Sequence, residues 1–175
     1  VGEFELSRRP GWQWLRWTIA DHVEHDLRSS PPQGDRDSDR PLVVIPCGAA
    51  KADHRTAVRD LYIGSFHRLC QRAAKALTSE DSIRVVSAKH GLLHLSDRIE
   101  PYDLKLGEPG SITAGRLAEQ AQVQQLLNHS NVVVLAGRGY TQLVHQLWPH
   151  AATPLAGSRG IGEQQKRLAR MAAAV

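Results

Sequence analysis

The chain carries two cysteines in 175 residues, Cys47 and Cys70, too few for a disulfide framework, and "PCG" lacks the paired spacing of a zinc site. No apolar run approaches the roughly 18–20 residues that cross a bilayer. The opening "VGEFELSRRPGWQW" lacks the apolar segment of a signal peptide. No GxxxxGK(S/T) occurs, which excludes a P-loop, and no glycine triplet sits where a dinucleotide fold needs it, because Gly157, Gly160 and Gly162 come late. There is no tight Lys/Arg run either. The expectation left by these absences is a cytoplasmic protein with no membrane partner, no metal and no cofactor.

What is present is enough apolar residue, 41%, to bury one sizeable core, which predicts a single domain with an appendage. The formal charge of +4 is unevenly placed: residues 1–40 hold six Arg and eight acids, and the remainder holds sixteen Lys or Arg and ten acids. A basic body suits an anionic partner such as a nucleotide, a nucleobase derivative or a nucleic acid; ordinary solubility charge is the alternative.

Three regions follow from the pattern. Residues 1–28 hold a Trp-rich amphipathic helix over 11–28, with Trp12, Leu15, Ile19, Val23 and Leu27 near one face and Trp14 and Trp17 widening it. That face would pack on the body or join two copies in a homo-oligomer, with base stacking on nucleic acid as an alternative. Residues 29–41 read as a flexible Pro/Ser/Asp/Arg linker, and 42–175 as an α/β domain.

In the body, strand and helix alternate: "LVVIP", "SFHRLCQRAAKAL", "SIRVVSA", "AGRLAEQAQVQQLL", "NVVVLAG", "GYTQLVHQLW", a short strand or turn at "ATPLAG", and a closing helix "GEQQKRLARMAAA". Apolar strands separated by helices predict a mostly parallel, Rossmann-like sheet flanked by helices. The helix over 65–77 is expected to turn Phe66, Leu69, Cys70, Ala73 and Leu77 inward. Ligands of such sheets bind beyond the carboxyl ends of the strands. The unusual residues gather there: Cys47 after the first strand, Ser87-Ala88-Lys89-His90-Gly91 after the second, Gly137-Arg138-Gly139-Tyr140 after the third, and Gly157-Ser158-Arg159-Gly160 after the last.

Cys47 is either a nucleophile beside a cation or a small buried hydrophobe; Cys70, on the inward face of a helix, reads as the latter. Lys51, Lys89, His67 and His90 are the groups that could activate the thiol or carry its proton. "SAKHGLL" joins a permanent charge to a titratable one at a turn allowed by Gly91, suited to phosphate binding and proton transfer, or else forms a basic surface turn. In "IEPYDLKL", Tyr102 could stack on a base and Asp103 could read its edge or bind ribose hydroxyls. Gly48, Ser65, Ser87, Gly137, Tyr140, Gly157, Arg159 and Gly160 complete the candidate substrate-binding set. Of these, Gly157 and Gly160 would cradle a phosphate through backbone amides.

Five spaced motifs, "PCGAAK", "DLYIGSFHRL", "VVSAKHGLLHLSDRIEPYDLKL", "LAGRGY" and "PLAGSRGIGEQQKRL", together resemble an uncharacterised bacterial domain family related to the YaaA-type peroxide-stress proteins, over residues 42–168. Cys47 and Lys51, followed by Ser65 and His67, are also similar to the catalytic stretch of archaeosine synthase, though the segment between Lys51 and Ser65 is longer here. That resemblance implies a thiolate attacking an electrophilic carbon such as a nitrile. The functional expectation is an enzyme directed at a nucleobase, nucleoside or nucleotide through Cys47. The alternatives are a non-catalytic nucleic-acid-binding domain, and a nucleotide N-glycosidase using a carboxylate such as Glu100 or Asp103.

Overall fold

The computed structural model of the protein describes residues 40–173. The tryptophan helix and nearly all of the linker lie outside them. Among the described residues no helix is long and apolar enough to cross a membrane.

The chain runs through β1 (Leu42–Pro46), β2 (Thr56–Ala57), α1 (Val58–Leu61), α2 (Ser65–Leu77), a 3-10 turn (Glu80–Ser82), β3 (Ile83–Ser87), β4 (Gly91–Leu93), β5 (Arg98–Ile99), α3 (Ala114–Val123), β6 (Val132–Val134), α4 (Arg138–His145) and α5 (Ile161–Ala172). Four strands form one sheet in the order β4-β3-β1-β6. β1 pairs parallel with both β3 and β6, Val43 opposite Ile83 and Val133. β4 departs from this pattern: it folds back antiparallel on β3, Ser87 facing Gly91 across a three-residue turn. The sheet is therefore mixed, mostly parallel. A second, two-stranded antiparallel sheet joins β2 to β5.

Every residue of β1 and β3 is buried, because helices cover both faces. Side chains alternate along a strand, so the two faces of β1 separate cleanly. Leu42 and Val44 join Val86, Leu117, Val132, Leu143 and Trp148 in one core cluster under α3 and α4. Val43 and Ile45, fully buried, face the opposite way, where α2 packs on β1 and on α5. Trp148 closes the first core and donates its indole N–H to the Leu126 carbonyl at 3.1 Å, so its one polar atom is satisfied.

One expected face is rotated. The wholly buried positions of α2 are His67, Cys70, Ala73 and Ala74, while Phe66, Leu69 and Leu77 are only half-buried. The spacing of the large apolar residues favours the other stripe, but a hydrogen bond from His67 to the end of β1 turns the helix toward His67.

After α4 the chain returns beside β6, with Ala152 pairing parallel to Val133. The connection from β1 thus leads to one side of the sheet and that from β6 to the other. The crevice outside the carboxyl ends of β1 and β6 is where such a reversal leaves room for a ligand.

Candidate functional site

Cys47 is the first residue past β1, at that crevice. Its backbone N–H still bonds the Val86 carbonyl at 3.0 Å, which holds the residue in line with the sheet. Its thiol is half-buried, unpaired with Cys70, and lies 2.9 Å from the hydroxyl of Tyr140, in the first turn of α4. Two residues 93 apart in sequence meet across the strand reversal. Gly48 lets the chain leave tightly: a Cβ there would stand 3.3 Å from Tyr62 Cβ and 3.4 Å from His67 Cβ.

Three phenols surround the thiol. The Tyr62 hydroxyl lies 3.0 Å from that of Tyr102, which lies 2.7 Å from Ser87 Oγ. Burial pushes the Tyr62 phenol up to about 12, and burial together with the negative charge of a Cys47 thiolate raises Tyr102 and Tyr140 further. All three stay protonated near neutral pH, so they act as hydrogen-bond donors and not as bases. Ser87 anchors the group, because its Oγ also accepts from the backbone N–H of Lys89 at 3.2 Å and of His90 at 2.9 Å.

Two ammonium groups approach the same tyrosine. Lys51 Nζ stands 4.3 Å from the centre of the Tyr102 ring and 5.9 Å from that of Tyr62, and donates to the Ala49 carbonyl at 3.2 Å. Lys89 Nζ stands 5.8 Å from the Tyr102 ring. Neither lysine forms an ion pair among the described residues. His90 meets the Tyr102 ring edge-on at 5.3 Å, so that ring has an imidazole and two ammonium groups around it.

The two candidate histidines differ. His67 is buried, and its Nδ1 lies 2.8 Å from the Pro46 carbonyl; a carbonyl only accepts, so Nδ1 carries the proton. Burial lowers its pKa and keeps the ring neutral. Its Nε2 has no partner among the described residues, nor has the buried Nε2 of His90. The His90 ring is half-buried, its pKa lowered by burial and by the charge of Lys89.

The remaining candidates fall elsewhere. Ser65 is exposed at the start of α2, and Asp103 and Glu100 are exposed on the loop after β5. Gly91 has a φ of +78° and faces the Gln120 carboxamide, which bonds Leu92 N and His90 O. Gly137 is the N-cap residue of α4, two residues before the Gly139–Tyr140 step. Gly157, at φ +67°, and Gly160 flank a turn in which the backbone N–H of Arg159 donates to Glu163. Cys70 is buried, donates to the Leu135 carbonyl and has its thiol pushed up to about 12 by burial. Among the described residues no group of three or more His, Cys, Asp or Glu could hold a metal ion.

Two residues of the cluster escape a reading of strand ends: Tyr62, between two helices, and Gln120, on the buried side of α3. The available signal was that a Tyr inside an apolar stretch needs a polar partner.

The chain belongs to a family of unknown function, DUF6884, whose model matches residues 42–170. It is 30% identical over 141 residues to the Bacillus subtilis (strain 168) protein named "Uncharacterized protein YfjM", an alignment covering 74% of this chain and 93% of that one. No solved structure matches it. The matched span holds all of the cluster from Cys47 to Tyr140, which places the site inside the family's domain.

Proposed function

We propose that this DUF6884 domain is an enzyme whose nucleophile is the Cys47 thiol and whose substrate is a nucleobase, nucleoside or nucleotide. The observation that carries the reading is the 2.9 Å contact of Cys47 Sγ with the Tyr140 hydroxyl at the strand reversal. A thiol that merely filled the core would sit as Cys70 does, wholly enclosed and bonded to a backbone carbonyl. Cys47 instead is half-buried and lies 2.9 Å from a protonated phenol, in a cluster where two lysines that form no ion pair among the described residues stand against the Tyr102 ring.

In this reading Lys51 and Lys89 supply positive potential for the thiolate and for an anionic substrate. His90, with a free Nε2, carries protons. His67 holds the Pro46 carbonyl and so orients the turn that presents Cys47. The resemblance of the Pro46-Cys47 and Lys51 stretch to archaeosine synthase agrees with attack on an electrophilic ring substituent. The test is iodoacetamide alkylation followed across pH in a Cys70→Ala background, with nucleobases and nucleotides as protectants. Faster reaction than free cysteine at pH 7, slowed by one class of these ligands, is the expected result. Reaction no faster than free cysteine would make Cys47 a packing residue.

A second reading, non-catalytic nucleic-acid binding, is favoured by one observation. Arg159, Lys166, Arg167 and Arg170 line a shallow cavity of about 310 Å³ along α5, with Glu163 as its one acid. Duplex DNA affinity that falls steeply with salt, and falls again in Lys166→Ala/Arg170→Ala, would support it.

A further inference from the structure

The hydrogen bonds around Tyr102 have a direction that the distances alone do not state. Ser87 Oγ accepts from two backbone N–H groups, of Lys89 and of His90. A hydroxyl has two lone pairs and one hydrogen, so both acceptor positions are filled and the hydrogen goes to Tyr102, 2.7 Å away. Tyr62 is 1% exposed, and among the described residues its hydroxyl bonds Tyr102 at 3.0 Å, with Ser87, whose acceptor positions are filled, as its other polar neighbour. Were Tyr102 to donate to Tyr62, the Tyr62 hydrogen would be buried without an acceptor, the costlier kind of orphan. Tyr62 therefore donates to Tyr102. The Tyr102 oxygen accepts two bonds, and its own hydrogen is spoken for by neither partner.

A phenol that receives two hydrogen bonds is a stronger donor than a free one, because each bond polarises the next.

Resting on the reading of Cys47 as nucleophile, we infer that Tyr102 is a hydrogen-bond donor to substrate, and that the thiol acts by addition to an unsaturated carbon bearing nitrogen or oxygen. In that step the Sγ–C bond forms and one carbon–heteroatom π bond breaks. The heteroatom takes the proton shed by Cys47, delivered through solvent or His90, while the Tyr102 hydrogen bond stabilises the charge that develops on it. The net change is transfer of the thiol hydrogen to the heteroatom, with no oxidant and no leaving group. Substitution at a saturated carbon would make no use of such a donor.

Two probes separate these chemistries in the full chain carrying Cys70→Ala. 2-Cyanopyrimidine requires addition across a C≡N bond, with protonation at nitrogen; iodoacetamide requires substitution, with loss of iodide. Tyr102→Phe should slow 2-cyanopyrimidine by roughly 10²–10³ while leaving iodoacetamide within about threefold, as loss of one preorganised donor does. Ser87→Ala keeps the Tyr102 ring and removes a hydrogen bond behind it, so it should slow the nitrile selectively by a smaller factor, and it serves if Tyr102→Phe does not fold. Equal slowing of both probes, or of neither, would overturn the inference and leave the nucleophile standing. So would a wild-type thiol fast with iodoacetamide and no faster than free cysteine with the nitrile. A thiol no faster than free cysteine with either would overturn the nucleophile itself, and the inference with it.

Discussion

Replacing Gly91 with alanine should destabilise the domain by about 3 kcal/mol, with the larger share of the effect passing through one side chain. Gly91 opens β4 at a φ of +78°, a region that costs a side-chain-bearing residue roughly 1–2 kcal/mol. A Cβ at that position would also collide with the Gln120 carboxamide, whose carbon would stand 2.8 Å away. The far end of a glutamine can swing aside, but not without releasing the Leu92 N–H, held at 2.9 Å, and the His90 carbonyl, held at 2.8 Å. Two such bonds contribute about 1 kcal/mol each. At an m-value of about 1.5 kcal/mol/M, the urea midpoint should fall by roughly 2 M. A double-mutant cycle isolates the cause. In a Gln120→Ala background Gly91→Ala should cost only its conformational share, giving a coupling of about 2 kcal/mol. Additive losses, or a midpoint unchanged by Gly91→Ala, would refute the reasoning.

On the proposed reading of Cys47 as a thiolate nucleophile, Tyr140→Phe removes its donor; a hydrogen bond to a charged group contributes about 1.5–3 kcal/mol, so alkylation by iodoacetamide at pH 7 should slow by about tenfold. His67 bears on acid stability. Its pKa is lowered in the fold by burial, so on acidification below about 6.5 the unfolded chain takes up a proton that the folded one refuses. Stability should fall from there down to the folded pKa, with a slope of up to about 1.4 kcal/mol per pH unit from this residue. His67→Asn, which can keep a donor toward the Pro46 carbonyl, should flatten that share of the slope in urea melts taken at pH 5 and 7. Trp148→Phe shrinks a fully buried ring and strands the Leu126 carbonyl, and should cost about 2–4 kcal/mol by the same melts.

Much of the architecture is legible in the chain because β1 is a branched apolar run, β3 is one broken only by Arg84 before Ser87, and α2 and α5 carry long periodic stripes. The antiparallel β4 is not, because "GLL" is too short to register as a strand and Gly91 reads only as a turn. The rotated face of α2 is not legible either, since no periodicity announces that a histidine will find the carbonyl of a proline 21 residues earlier. In the site, Cys47, Ser87, Tyr102 and Tyr140 stand out as unusual residues at or after strand ends. Their pairing does not, because local spacing carries no information about groups brought together by parallel strands. Arg159 and Gly160 show the converse. With Gly157 they read as a phosphate cradle, and in the structure the Arg159 amide donates to Glu163 in the first turn of the helix that follows.

The contact between Cys47 and Tyr140 has a consequence for how the protein is made. It spans 93 residues, and β1, the first strand, must pair with β6, the last, before it can form. Closing so long a loop is among the slow events of folding. On a ribosome or in a refolding tube, the thiol would exist from the start as an ordinary cysteine and gain its surroundings only when the final third of the domain docks. Its reactivity would then be a clock for the last stage of assembly. A chain cut short before α4 would hold Cys47, both lysines and two of the three tyrosines, and still lack the Tyr140 contact.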